Sequence, residues 1–208
     1  RLKYQVGERV LLPIENLRIS HFFLTMLKGA TKAIDKFCYL TGLSKSDFEL
    51  YGGSILSLMS GTVVSDYDIF ITKAMTEAEL FSMLERILKL MAMNTTDSEK
   101  VEIFIDKTSN PTKLIFENDG FAFDVSMSAK SDSLTSKGIL TSKTITKSDS
   151  IINDIRLVFD ENEVMLLSTD KRGFDILCNP TIILSDKHII NRAHKYIRKG
   201  FKVVPDIS

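Results

Sequence analysis

The segment from Phe48 to Ile71 constrains the fold most. It sets a β-rich run, FELY, directly before Gly52-Gly53, then a short apolar stretch, ILSLM, then a second β-rich run, YDIFI. Aromatic and β-branched residues favour the pleated backbone, and adjacent glycines allow a sharp turn that side chains would obstruct. The order is strand, turn, short helix, strand, and a chain built this way requires a sheet with helices against it.

The flanking sequence supplies those helices. From Leu17 to Leu40 the residues Ile19, Phe22, Phe23, Met26, Leu27, Ala30, Ala33, Ile34 and Phe37 recur at helical spacing, with Gly42 placed to end the helix. In TEAELFSMLERILKLM, Thr76 and Glu79 form a capping box, and Leu80, Met83, Leu84, Ile87, Leu88 and Met91 form the stripe expected to be buried. Further on, VEIFID, TKLIFE and FAFDVSM read as strands, the last two joined by a hairpin at Asn118, Asp119 and Gly120. The expected fold class is α/β (α+β), a small mixed sheet flanked by helices.

Residues 126–150 change character: 12 of 25 are Ser or Thr and 4 are Lys, which predicts a mobile, weakly basic loop with at most short helical pieces. INDIRLVF and EVMLLST resume strand patterning around a turn at Asp160 to Asn162. SDKHIINRAHKYIRKGF then predicts a helix capped by Ser185 or Asp186, burying Ile189, Ile190, Ala193 and Ile197 and stopped by Gly200. The expected organisation is a head over 1–130, followed over 131–208 by the loop, further strands and the start of a helical neck.

Composition narrows the function classes. At 208 residues and 44% hydrophobic, the chain can bury a real core, while 27 basic residues cancel 27 acidic ones. No global charge draws it to nucleic acid or membrane, so a polyanion must meet a local patch. Cys38 and Cys178, far apart and without metal-ligand neighbours, read as free thiols of a reducing, cytoplasmic compartment. No apolar run reaches the roughly 18 residues that span a bilayer. A chain starting at Arg1 is expected to be an excised or processed piece.

Alternation along SDYDIFI puts Asp66 and Asp68 on one face, opposite Tyr67, Ile69 and Ile71. Two carboxylates held together repel, and a cation between them keeps both ionised. Mg²⁺ suits such a site because it takes one or two carboxylates and completes its shell with phosphate oxygens and water; Mn²⁺ is the alternative. In FAFDVSM the same alternation turns Phe121, Phe123, Val125 and Met127 inward and leaves Asp124 on the other face. Three carboxylates on neighbouring strands would suit two-metal phosphoryl or nucleotidyl transfer. Gly52, Gly53 and Ser54 would offer backbone N–H groups and a hydroxyl at a helix start, where a triphosphate is favoured.

The run GGSILSLMSGTVVSDYDIFI resembles the signature of the DNA polymerase beta-type nucleotidyltransferase superfamily. Its spacing is most similar to the class II branch, which comprises bacterial and eukaryotic CCA-adding tRNA nucleotidyltransferases and bacterial poly(A) polymerases. KSDSIINDI resembles a second family segment through Asp149 and Asn153, and INRAHKYIRKGFKV a third through Arg192, Ala193, Tyr196, Gly200 and Phe201. The resemblance implies a nucleotidyltransferase fold and transfer of a nucleoside monophosphate from a nucleoside triphosphate to a hydroxyl, at an RNA 3′ end. It implies metal on Asp66 and Asp68, with Asp124 as third carboxylate. Triphosphate falls to Gly52, Gly53 and Ser54, and nucleotide contacts to Asp149, Asn153, Arg192 and Lys195. Leu56 and Ser57 stand where the family has Arg-Asp. Two alternatives remain open: a superfamily member modifying another acceptor, or a catalytically silent nucleotide-binding module of a larger protein whose other domains or subunits grip the substrate.

Two basic sets complete the inventory. His188, Arg192, Lys195 and Lys199 step by four, three and four along the late helix, a stripe suited to triphosphate or RNA. Lys130, Lys137, Lys143 and Lys147 dot the Ser/Thr-rich loop, where they would track a nucleic-acid strand or simply keep the loop soluble.

Overall fold

The computed structural model describes residues 4–6, 9–13, 21–60, 62–94, 103–106, 112–127, 139–140, 156–159, 164–168, 181–184 and 190–205. In chain order the strands are β1 (Tyr4–Val6), β2 (Arg9–Pro13), β3 (Phe48–Tyr51), β4 (Tyr67–Ile71), β5 (Met75–Thr76), β6 (Ile103–Asp106) and β7 (Thr112–Asn118). They continue with β8 (Phe121–Met127), β9 (Ile139–Leu140), β10 (Arg156–Phe159), β11 (Val164–Ser168), β12 (Thr181–Leu184) and β13 (Lys202–Pro205). The helices are α1 (His21–Thr41), α2 (Gly53–Ser60), α3 (Glu77–Asn94) and α4 (Ile190–Arg198). The chain divides into two units, one of residues 30–50 and 65–146, the other of 1–29, 51–64 and 147–208. The fold class is mixed α/β, as expected.

In the first unit the strands run in the order β3-β4-β8-β7-β6, with β4 and β8 parallel and the pairs β8–β7 and β7–β6 antiparallel. The register follows from burial. Tyr67, Ile69 and Ile71 on β4 and Phe123, Val125 and Met127 on β8 are all buried, with Leu114 and Phe116 beside them on β7. A one-residue slip would turn this apolar face to water and push Asp68 and Asp124 into the core. The β7–β8 hairpin closes through Asp119 (φ 52°) and Gly120 (φ 80°), two left-handed residues in a two-residue loop, which matches strand twist.

Helix α1 covers this face with Ala30, Ala33, Ile34, Phe37 and Leu40, all fully buried. Phe37 sits 4.9 Å from Phe48, 5.4 Å from Phe123 and 6.3 Å from Phe116, ring centre to ring centre. Burying each such side chain stabilises the unit by roughly 1.5–3 kcal/mol. Gly42, at φ 75°, ends α1 and donates to the Cys38 carbonyl at 2.9 Å. Arg86 of α3 donates from Nε and Nη2 to the Tyr39 carbonyl at 3.3 and 2.9 Å, satisfying a carbonyl of the last turn of α1. The capping box of α3 forms, with the Glu79 amide donating to Thr76 Oγ1 at 3.1 Å and the Thr76 amide to Glu79 Oε1 at 3.4 Å. Leu88 departs from the expected stripe and is 41% exposed. At 100° per residue it lies about 70° from the axis shared by Leu80, Leu84, Ile87 and Met91, on the stripe's margin.

In the second unit β1-β2-β11-β10 form an antiparallel array, and β12 and β13 pair in parallel on either side of α4 in sequence. Helix α4 ends in a Schellman closure: the Gly200 amide donates to the Ile197 carbonyl at 2.9 Å and the Phe201 amide to the Tyr196 carbonyl at 3.1 Å. Tyr196 and Phe201 are both buried. Ile197, expected in the buried stripe, is 55% exposed, because the closure commits Tyr196, about 100° around the helix, to the interior.

The Ser/Thr-rich stretch is corrected where it is described. Ile139–Leu140, expected in a loop with at most short helical pieces, pairs antiparallel with Met75–Thr76, whereas Ser126 and Met127 end β8 as the FAFDVSM strand reading expects. The rest of that stretch, the proposed caps Ser185 and Asp186, and the Asp160 to Asn162 turn lie outside the described residues.

Candidate functional site

The parallel register of β4 and β8 sets Asp68 directly beside Asp124, and Asp66 lies just ahead of β4. One carboxylate oxygen from each of the three lies within 4.8 Å of the other two. Asp66 is exposed, while Asp68 and Asp124 are half-buried. The sheet brings the three together because the opposite face is committed to the core, which leaves the carboxylates only the outward side. Asp124 Oδ1 is buried and has no hydrogen-bond partner among the described residues; Lys113 Nζ of β7 stands 3.8 Å from it. A buried anionic oxygen left without a donor is costly, and a hard cation bound by oxygen ligands resolves that cost. The donor set therefore fits a divalent ion such as Mg²⁺ or Mn²⁺.

The glycine turn belongs to the other unit. Gly52 takes φ 66°, a left-handed conformation in which glycine escapes the Cβ clash, and its carbonyl accepts from the Ile55 amide at 3.1 Å to open α2. Gly52 and Ser54 are buried and Gly53 is half-buried. Leu56 and Ser57 are buried as well, so the positions of the family's Arg-Asp pair are packed into this unit. Lys199, just past α4, donates from Nζ to the Gly53 carbonyl at 3.1 Å.

The remaining predicted contacts are spread differently. Lys195 is exposed on α4, and Arg192 falls within the same helix with its side chain outside the described set. Asp149, Asn153 and His188 lie outside the described residues, as do Lys130, Lys137, Lys143, Lys147 and Cys178. Cys38 is a free, half-buried thiol whose burial raises its pKa; a lesser lowering by Lys45 and lesser raising by Asp35 and Asp47 follow. Two residues gain a place that sequence reasoning did not give them: Lys113 beside Asp124, and Lys199 on the glycine turn. Lys113 was detectable, since the two-residue turn fixes the hairpin register and sets Lys113, Ile115 and Glu117 on the Asp124 side.

The described residues thus place three clustered aspartates on one face of a mixed sheet whose other face is apolar and covered by a helix. No protein-family model and no curated protein matches the sequence. Among solved structures the chain is similar to a CCA-adding enzyme in complex with ATP, with a TM-score of 0.52 and 18% identity over 90% of this chain and 44% of that one. It is also similar to a CCA-adding enzyme in an apo form, with a TM-score of 0.49 and 15% identity over 93% of this chain and 43% of that one. A third is the Thermotoga maritima CCA-adding enzyme complexed with tRNA, at 0.47 and 14% identity over 93% and 43%. The chain thus spans less than half the length of these proteins, and the likeness to the first, at 18% identity, is one of fold. No described helix is long and apolar enough to cross a membrane.

Proposed function

We propose that the chain is a nucleotidyltransferase that transfers a nucleoside monophosphate from a nucleoside triphosphate to the 3′ hydroxyl of an RNA, in the manner of CCA-adding or poly(A)-adding enzymes. The observation that carries this reading is the cluster of Asp66, Asp68 and Asp124, in which the buried Asp124 Oδ1 has no hydrogen-bond donor among the described residues. The likeness in fold to a CCA-adding enzyme bound to ATP supports it.

Asp66, Asp68 and Asp124 would hold Mg²⁺ or Mn²⁺, which when bound supplies positive charge to acidify the acceptor hydroxyl and steady the leaving pyrophosphate. The Gly52 to Ser54 turn, by its backbone N–H groups, is assigned the triphosphate. Asp149, Asn153, Arg192 and Lys195 are assigned the incoming nucleotide. The acceptor oxygen forms its bond to the α-phosphorus in line with the bond that breaks to pyrophosphate. Further domains or subunits would grip the RNA, and the working compartment is the cytoplasm.

A second reading is a catalytically silent nucleotide-binding module. Burial of Leu56 and Ser57, where the family carries a charge pair, favours it. One experiment separates the two. The protein is incubated with each α-³²P-labelled nucleoside triphosphate, Mg²⁺ or Mn²⁺, and RNA, DNA or no acceptor, beside Asp66→Ala/Asp68→Ala. Label on an acceptor with wild type and none with the variant supports transfer. Wild type that binds nucleotide and metal yet labels nothing decides for the module.

A further inference from the structure

The strand registers extend the carboxylate site sideways. Asp68 pairs with Asp124, Asp124 with Ile115, and Ile115 with Phe104, so four residues form one row across β4, β8, β7 and β6 on the outward face. At a strand spacing of about 4.8 Å, Ile115 is one step and Phe104 two steps from Asp124. Both are large, apolar and open to solvent, Phe104 by 59% and Ile115 by 44%. Lys113, on the same face of β7, holds its ammonium 3.8 Å from Asp124 Oδ1.

We infer that Ile115 and Phe104 form a stacking shelf for the terminal base of a single-stranded RNA acceptor, with Lys113 facing its phosphate. This rests on the transferase reading above. The charge of the site selects this occupant. Beside three carboxylates a phosphate backbone is repelled, whereas the flat, uncharged face of a base is not. A base stacks readily on an exposed aromatic ring, with little regard to sequence. The shelf then keeps the backbone away from the acidic cluster except where the Lys113 charge offsets it. A base lying on Ile115 and Phe104 would bring its own sugar, and the 3′ hydroxyl, toward Asp124 and Asp68.

The test measures acceptor binding without nucleotide, by fluorescence anisotropy of a 3′-terminal single-stranded oligoribonucleotide on the full chain. Phe104→Ala should weaken binding about 5- to 150-fold, the range of base–aromatic stacking, with thermal stability unchanged because the ring is exposed. Phe104→Trp should restore it, and Phe104→Leu should not, which separates stacking from apolar cover. Where transfer is measurable, Phe104→Ala should raise the acceptor KM and leave the nucleotide KM alone. Binding of the oligoribonucleotide by Phe104→Ala within twofold of wild type overturns the shelf, whether or not transfer occurs. A wild-type dimer that Phe104→Ala dissociates also overturns it, in favour of a second copy covering edge strand β6. Wild type that transfers to no acceptor while its oligoribonucleotide binding is still Phe104-dependent would overturn the transferase reading and leave the shelf standing.

Discussion

Replacing Asp124 by asparagine should stabilise the metal-free protein and abolish its response to metal. Asp124 carries a charge within 4.8 Å of two like charges and 3.8 Å from one opposite charge. At bulk-water screening each repulsion is about 0.9 kcal/mol and the attraction about 1.1; at an effective dielectric of 20 they are about 3.5 and 4.4. The net repulsion removed is therefore about 0.6–2.5 kcal/mol. Because Asp66 and Lys113 are exposed, the low end applies, and about 1 kcal/mol is expected. For a chain of this size that is a rise of roughly 2–4 °C in Tm. Metal reverses the order: an ion at a hundred times its Kd adds about 2.7 kcal/mol to wild type. The variant loses a ligand and should gain little. Calorimetry in chelator, then across a Mg²⁺ or Mn²⁺ titration, reads both effects. A variant less stable than wild type in chelator, with its metal-induced gain intact, would refute the reasoning and remove Asp124 from the site.

Two further predictions concern the fold around the site. An alanine at Gly120 meets nothing within 4 Å, so the whole penalty is the left-handed backbone at φ 80°, about 1–2 kcal/mol in urea denaturation; unchanged stability would mean that the hairpin turn is not the one described. Burial raises the pKa of Cys38 from 9.0 and of Tyr67 from 10.0, so the folded state holds both protons more tightly than the unfolded chain. The stability this contributes is complete below about pH 9 and declines as pH rises through the folded values. Cys38→Ser/Tyr67→Phe should flatten the fall of stability above pH 9, and an identical slope in the double variant would contradict the assignment.

Features that depend on a few consecutive residues were legible in the sequence, since their physics is local. The capping box at Thr76 and Glu79, the stops at Gly42 and Gly200 and the hairpin turn at Asp119-Gly120 each need only a backbone conformation and a nearby side chain. Alternation likewise separated Asp68 and Asp124 from the apolar sides of their strands before any pairing was known. Which margin of a helix meets the core was not legible, because it depends on what the helix packs against: Leu88 and Ile197 fit a stripe on paper and face solvent in the fold.

The sequence by itself determined the helices, the strands that carry the carboxylates, the hairpin and the chemical character of the candidate site, because period, turn residues and carboxylates are local properties; the short strands β1, β2, β5, β9, β12 and β13 were not read from it. Tertiary structure decided what those residues stand beside. The parallel pairing of β4 with β8, fifty-six positions apart, puts Asp68 next to Asp124, and the neighbouring strands carry the row on to Ile115 and Phe104. Only folding brings Lys199 to the carbonyl of Gly53, 146 residues earlier. The cause is the same in both cases. A strand's partner and register are set by the burial of a shared apolar face, and that face exists only once distant segments have met.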